Sequence, residues 1–242
     1  MEIRLGRRLF APSVGMTLLT AALCVLFVYL GHWQWNRGNA REAAWSQFAR
    51  GTDKVVPLNA ERLADLPLFQ RVRVEGRFDA ARQFLLDNRS YEGRAGYEVL
   101  TPLQRTNGTV ALVDRGWVPF SGLRDRLPGV AIHNLAAVTV TGRVADLPSA
   151  GLASGRAPPS AQGPWPKVTS FPTMGELSQA FDQPLDSHIL LLDSRDPDGY
   201  VRDWHPPGLE PSRHWSYAIQ WWSFAVVLGV LWFRLSLRRP PK

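Results

Sequence analysis

The stretch "RHWSYAIQWWSFAVVLGVLWF", Arg213 to Phe233, is long enough to cross a bilayer, yet it opens on a cation, an imidazole and a crowd of aromatic rings. From Trp215 to Phe233 it has 19 residues, a helix of about 28 Å, close to the hydrocarbon thickness of a membrane. A second apolar run of 20 residues, Val14 to Trp33, lies near the other end of the chain and is interrupted only by Thr, Gly and, next to its end, His32. Its apolar core is long for a cleaved leader, and it closes on "GHWQWNR" rather than on a small-residue cleavage site, so it reads as a retained anchor. Cys24 sits inside this run with apolar residues on both sides, which argues against lipoprotein processing. As the only cysteine it excludes an intramolecular disulfide.

Charge is placed where two anchors would need it. The net charge is +7. Arg4, Arg7 and Arg8 outweigh Glu2 at one end, and Arg234, Arg238, Arg239 and Lys242 follow the second run at the other. Residues 9–233 are nearly neutral, with 21 basic and 20 acidic side chains, so the body of the chain has no basic surface fit for nucleic acid. Basic flanks beside apolar spans orient a membrane protein with those flanks inside. The reading is a multi-pass protein of the bacterial inner membrane. Residues 1–11 and 235–242 form cytoplasmic basic tails, transmembrane helices span 12–35 and 213–234, and residues 36–212 form a periplasmic domain. The pairs Trp33/Trp35 and Trp215/Trp221/Trp222 then gather at the outer interface, where amphipathic rings are favoured.

The middle of the chain is dominated by strand signals. "RVRVEGRF" (71–78) alternates charged and apolar residues, the period of a half-buried strand. "QFLLDNRSY" (83–91), "GYEVLTPLQR" (96–105), "TVALVDRGWVPF" (109–120), "AVTVTGRV" (137–144) and "HILLLDS" (188–194) follow at short intervals, the first few separated by Gly and Asn-Gly turns. The fold class is therefore two transmembrane α-helices flanking a mainly antiparallel β domain, barrel- or sandwich-like, with short helices. "REAAWSQFAR" (41–50) continues the first span as a helix. Thr173 with Glu176 forms a capping box for "MGELSQAF". "PSAGLASGRAPPSAQGPWP" (148–166) reads as a long loop, and "DWHPPGLEP" (203–211) as an extended lead into the second span.

On a helical wheel of about 100° per residue, Tyr217, Ala218, Trp221, Ala225 and Leu228 fall within about 60° of His214, while Ser216, Gln220 and Ser223 fall opposite. Small Ala alternating with large rings beneath an imidazole would suit a flat apolar cofactor bound through its metal. A wet polar anchor at the interface is the plainer reading of the same histidine. His32, at the outer end of the first span, is a second candidate ligand that could share an iron with His214. His133, His188 and His205 lack ligand spacing and take surface or turn roles. Asp87, Asp114 and Glu98 have no spacing that marks an acid/base pair. "LVDRGW" sets Asp114 beside Arg115 and suggests a structural ion pair at a strand end. Phosphate loops, nucleophile elbows and zinc signatures are all missing, so no catalytic residue is assigned.

Several strings together resemble the surfeit locus protein family of cytochrome c oxidase assembly factors. "LGHWQWNR" (Leu30 to Arg37) is similar to its L-G-x-W-Q-x-x-R signature. "DNRS" (87–90), "GYEVLTPL" (96–103) and "VDRGWVP" (113–119) resemble its extramembrane strands in the same order, and "RHWSYAIQWWSFA" resembles its H-x-x-Y-A-x-Q-W signature. The resemblance implies an assembly factor and not an enzyme, one that binds heme A transiently and assists its insertion into oxidase subunit I, with heme A synthase a further partner. It implies His214 as the ligand of heme iron. Tyr217, Ala218 and Trp221 then line the bed and Arg213 stands at propionate level, while His32 falls on a variable position of the signature. The alternative is a membrane-anchored interaction protein that stabilises an oxidase assembly intermediate without binding heme. Arg213 stands where some members have Asn before the histidine, a difference that bears on how the imidazole is held.

Overall fold

A computed structural model describes residues 3–5, 8–50, 54–58, 62–149, 155–206 and 208–238. In chain order the elements are β1 (Ile3–Leu5), β2 (Arg8–Phe10), α1 (Val14–Arg50), β3 (Val55–Pro57), a single 3-10 turn (Leu63–Asp65), β4 (Arg71–Phe78), β5 (Phe84–Tyr91), β6 (Arg94–Arg105), β7 (Val110–Pro119), β8 (Val138–Ala145), β9 (Lys167–Thr169), α2 (Met174–Phe181), β10 (Ile189–Leu192), α3 (Pro211–Leu235) and β11 (Leu237–Arg238). They divide into two compact units, Met1–Ser46 with Pro207–Lys242, and Gln47–Pro206.

In the first unit α1 and α3 are both long and apolar enough to cross a membrane. Among the half-buried and buried positions, one series on α1 is Thr17, Thr20, Cys24, Phe27, Gly31, Gln34, Gly38 and Arg41, and one on α3 is Pro211, Trp215, Ala218, Trp222, Ala225, Gly229 and Trp232, carried on by the C-cap Ser236; half-buried Leu23 and Leu30, and His214, Trp221 and Leu228, border them. Steps of three and four alternate in both sets, the spacing that keeps one seam facing a neighbour in a left-handed helix pair. The contacts run antiparallel: Trp232 Nε1 donates to Thr17 Oγ1 at 3.1 Å, and the Cys24 thiol lies 3.6 Å from the Ala225 carbonyl. Phe27 stacks on Trp221 with centroids 5.7 Å apart. Lipid offers helices no hydrophobic drive to associate, so close backbone approach and polar links carry the pair. Gly31 and Gly38 provide the approach: a side chain at Gly31 would run into the Trp222 ring, and one at Gly38 into the Trp215 ring. Beyond the helices, β2 pairs with both β1 and β11. The end of the second tail, residues 239–242, lies outside the described residues.

The second unit answers the barrel-or-sandwich question. Its sheet runs β3-β4-β8-β10-β7-β6-β5-β9, and β4 also pairs with β6, through Gly76 with Arg105 and Phe78 with Leu103. That extra pairing closes β4, β8, β10, β7 and β6 into a five-stranded ring. Val72, Val74 and Phe78 of β4 point inward, with Val140 and Val144 of β8, Leu190 and Leu192 of β10, Ala111 and Val113 of β7, and Leu103 of β6. The period-two pattern of "RVRVEGRF" explains the choice: Arg71, Arg73, Glu75 and Arg77 are left on the outer face. Leu190 is 1 % exposed, and Leu190→Ala would cost about 2–5 kcal/mol. Outside the ring, Leu177 and Phe181 of α2 cover Phe84, Leu86, Leu100, Leu112 and Ile189. Thr173 caps α2 reciprocally with Glu176, as the sequence implied.

All six expected strands form, each within about two residues of its expected limits. Three pairings are parallel, β3 with β4, β5 with β9, and β7 with β10, so the sheet is mixed rather than purely antiparallel. The reason is topological. β10 returns after the long α2 connection and inserts between β7 and β8, which forces one neighbour parallel and the other antiparallel. β3 and β9, three residues each, are too short for any periodic signal. Residues 150–154 of the expected loop lie outside the described residues.

Candidate functional site at the head of the second apolar helix

His214 lies in the first turn of α3, one residue after exposed Arg213. Its Nδ1 donates to Oε1 of Gln34 on α1 at 2.8 Å. An amide oxygen can only accept, so the proton sits on Nδ1 and the lone pair on Nε2. Trp215, the next residue, donates through Nε1 to Asn39 Oδ1 at 3.2 Å, and its ring meets Trp35 at 6.1 Å between centroids. Trp35 also meets Trp222, at 5.8 Å. Trp35, Trp215 and Trp222 thus form one aromatic cluster beside the polar pairs Gln34–His214 and Asn39–Trp215.

The expected site residues divide around this cluster. Ala218 is fully buried and Trp221 half-buried, both on the seam against α1. The stripe below His214, down to Ala225 and Leu228, is therefore covered by the first helix. Tyr217 is 49 % exposed and Arg213 is exposed, so these two stand on the free flank of the helix beside the imidazole. His32 follows Gly31 by one residue, about 100° around α1 from the seam, and is exposed. The hydrogen-bond partner of His214 is Gln34 and not His32. Gln34 was missed as a site residue. Its signal in the sequence is the fixed Gln of "LGHWQWNR", two positions after His32.

Among the described residues no group of three or more His, Cys, Asp or Glu could hold a metal ion. The group that α3 leaves available at this end is Nε2 of His214, whose ring Gln34 orients through Nδ1.

The acidic residues considered from sequence also take definite places. Asp87 pairs with Arg124 at the surface. Glu98 pairs with Arg89 at 2.8 Å, and Asp114 lies near it, 1 % exposed, with Oδ1 accepting from the Gly116 N–H at 3.0 Å. Burial first, and then the Glu98 charge, push the Asp114 carboxyl well above the usual carboxylate range. The expected Asp114–Arg115 ion pair does not form. Neighbours on a strand point to opposite faces. Arg115, also 1 % exposed, instead donates to the carbonyls of Asp198 (2.6 Å), Val130 (3.1 Å) and Ala131 (3.3 Å) and to Gln83 Oε1 (3.1 Å). It clamps two loops to the barrel. The next residue, Gly116, takes a φ of 107° in a bulge where β7 inserts a residue against β6.

Two apolar helices, joined by a polar and aromatic contact and flanking a small closed β barrel in the sequence, define a membrane protein. Residues 21–226 match the model of the SURF1 family, and the chain belongs to that family, whose members are generally cytochrome oxidase assembly factors. It is similar to an uncharacterized SURF1-like protein of Mycobacterium tuberculosis, 28 % identical over 226 residues that cover 90 % of this chain and 80 % of that protein. A protein of Mycobacterium bovis described in the same words gives the same figures. A SURF1-like protein of Dictyostelium discoideum is 43 % identical over 49 residues, 20 % of this chain and 18 % of that protein.

Proposed function

We propose that this chain is a non-catalytic assembly factor for cytochrome c oxidase that holds heme A in transit to subunit I, with His214 as the protein ligand to its iron. The observation that carries this reading is the 2.8 Å bond from His214 Nδ1 to Gln34, which leaves Nε2 free to ligate and fixes the ring that presents it. Bound heme A would be cargo, so a single imidazole suits release as well as capture. Arg213 is the propionate partner on this view, and Tyr217 flanks the macrocycle. Ala218 and Trp221 serve the helix contact and reach the heme only where the helices part.

The topology belongs to the same proposal: bacterial inner membrane, both termini cytoplasmic, and residues 36–212 in the periplasm, with heme A synthase as the source of cargo. Protein purified in detergent from cells that make heme A is expected to show a Soret band. His214→Ala is expected to accumulate normally in the membrane yet carry little heme. Full heme occupancy in His214→Ala would overturn the ligand assignment.

A second reading is favoured by one observation. The stripe under His214 is filled by α1 rather than open, which suits a factor that stabilises an oxidase intermediate through protein contacts and binds no heme. A parent protein free of a Soret band that still co-purifies with subunit I would establish it.

A further inference from the structure

The barrel unit has a cavity of about 250 Å³ lined by Phe48, Arg143, Leu191, Asp193, Ser194, Arg202, Asp203 and Trp204. Arg143 on β8 stands directly opposite Arg71 on β4, an arrangement of like charges that destabilises a sheet unless anions answer it. Asp193 answers Arg71, as an ion pair. Asp203 pairs with His205 at 3.1 Å. Arg202 is committed through Nη1 to the carbonyls of Asp193 (2.6 Å) and Asp196 (2.8 Å). Arg143 is half-buried and lies over the Phe48 ring, 4.2 Å from its centroid, and among the described residues its guanidinium donates no hydrogen bond. Its fork of five N–H donors faces the cavity, with the Asp193 carboxylate in electrostatic reach but not hydrogen-bonded to it, and its geometry matches the two oxygens of a carboxylate.

From this we propose that the cavity binds a small carboxylate, held by the Arg143 fork between the aromatic walls of Phe48 and Trp204. The walls suit an apolar body behind the carboxylate. The neighbouring Asp193 and Asp203 favour a monoanion over a doubly charged phosphate. Ligand pockets for drug-sized molecules run from about 300 Å³ upward, so this one takes a group of side-chain size, either a free acid or the carboxylate side chain of a polypeptide.

The test is saturation-transfer NMR on the full chain in detergent, with benzoate as probe, benzamide as its neutral isostere, and acetate and inorganic phosphate as competitors. Benzoate is expected to bind saturably and benzamide not. Acetate is expected to compete better than phosphate. Arg143→Gln should weaken benzoate at least tenfold, and Arg143→Lys, which keeps charge but loses the fork, by an intermediate factor. A glutamate-containing tripeptide with blocked ends, run beside free benzoate, separates a side-chain source from a free acid, and the tighter ligand names it. No saturable benzoate signal from the parent protein, equal binding of benzamide, stronger competition by phosphate, or unchanged benzoate binding in either Arg143 variant would each overturn the proposal. If Arg143→Gln fails to fold, the benzoate–benzamide comparison on the parent protein and the Lys variant decide.

Discussion

His214 Nδ1 and Gln34 Oε1 are 180 residues apart in the chain and 2.8 Å apart in space. One belongs to the signature that closes the first apolar run and the other to the signature that opens the second. The two strings therefore specify a single contact, which orients the imidazole and ties α1 to α3.

Gln34→Leu keeps the volume of the side chain roughly and removes the acceptor. If the bond orients a ligating ring, heme A retained per protein should fall about 10–100-fold in affinity, the usual cost of removing an outer partner of a metal-bound histidine. Soret absorbance per protein, measured beside the parent, checks this. Unchanged absorbance would reduce Gln34 to a helix tie.

Gly31→Leu should separate α1 from α3, because the new side chain meets the Trp222 ring in a seam without spare room. Overpacking of this kind costs about 1–3 kcal/mol. Thermal unfolding in detergent should begin at lower temperature. Gly15→Leu serves as control, since nothing lies within 4 Å of a side chain there.

Asp114 predicts a pH dependence. Its carboxyl pKa is raised on folding, so the folded state holds that proton more tightly than the unfolded state. Stability is then greatest in acid and declines as pH rises from about 4, the ordinary carboxylate value, through the raised one. Glu98, also raised, chiefly by burial, slopes the same way. Asp114→Asn should flatten the decline. Melting temperatures of both forms across pH 5–8 test it; parallel curves would refute the buried carboxyl as the cause.

Trp117 is 7 % exposed, its ring lies 5.5 Å from that of Tyr91, and its Nε1 has no hydrogen-bond partner among the described residues. The ring works by packing. Trp117→Ala should cost about 3–5 kcal/mol. Trp117→Phe should cost less than half of that, because an orphaned donor is lost together with the missing volume. Chemical denaturation of both variants measures the difference. A Phe variant as unstable as the Ala variant would mean that the indole N–H matters.

Some of this molecule was legible in its residues. Chain length against membrane thickness marked both helices, because a bilayer imposes a fixed span on any apolar run. Period-two alternation marked β4 and its inner face, and Thr173 with Glu176 marked α2, since both are local rules acting over a few residues. Closure of the barrel was not legible. It depends on β4 meeting β6 and on β10 slipping between β7 and β8, pairings between strands far apart in sequence whose register no local pattern records. The same limit governs the site. His214 was visible as an imidazole at the head of a span, but its wheel of Ala218, Trp221 and Ala225 read as an open bed. Only the packing of α1 against α3 decided that this face is a seam and that Gln34 and not His32 reaches the ring. Amphipathic pattern gives a side chain its direction; which neighbour fills that direction is set by the tertiary fold.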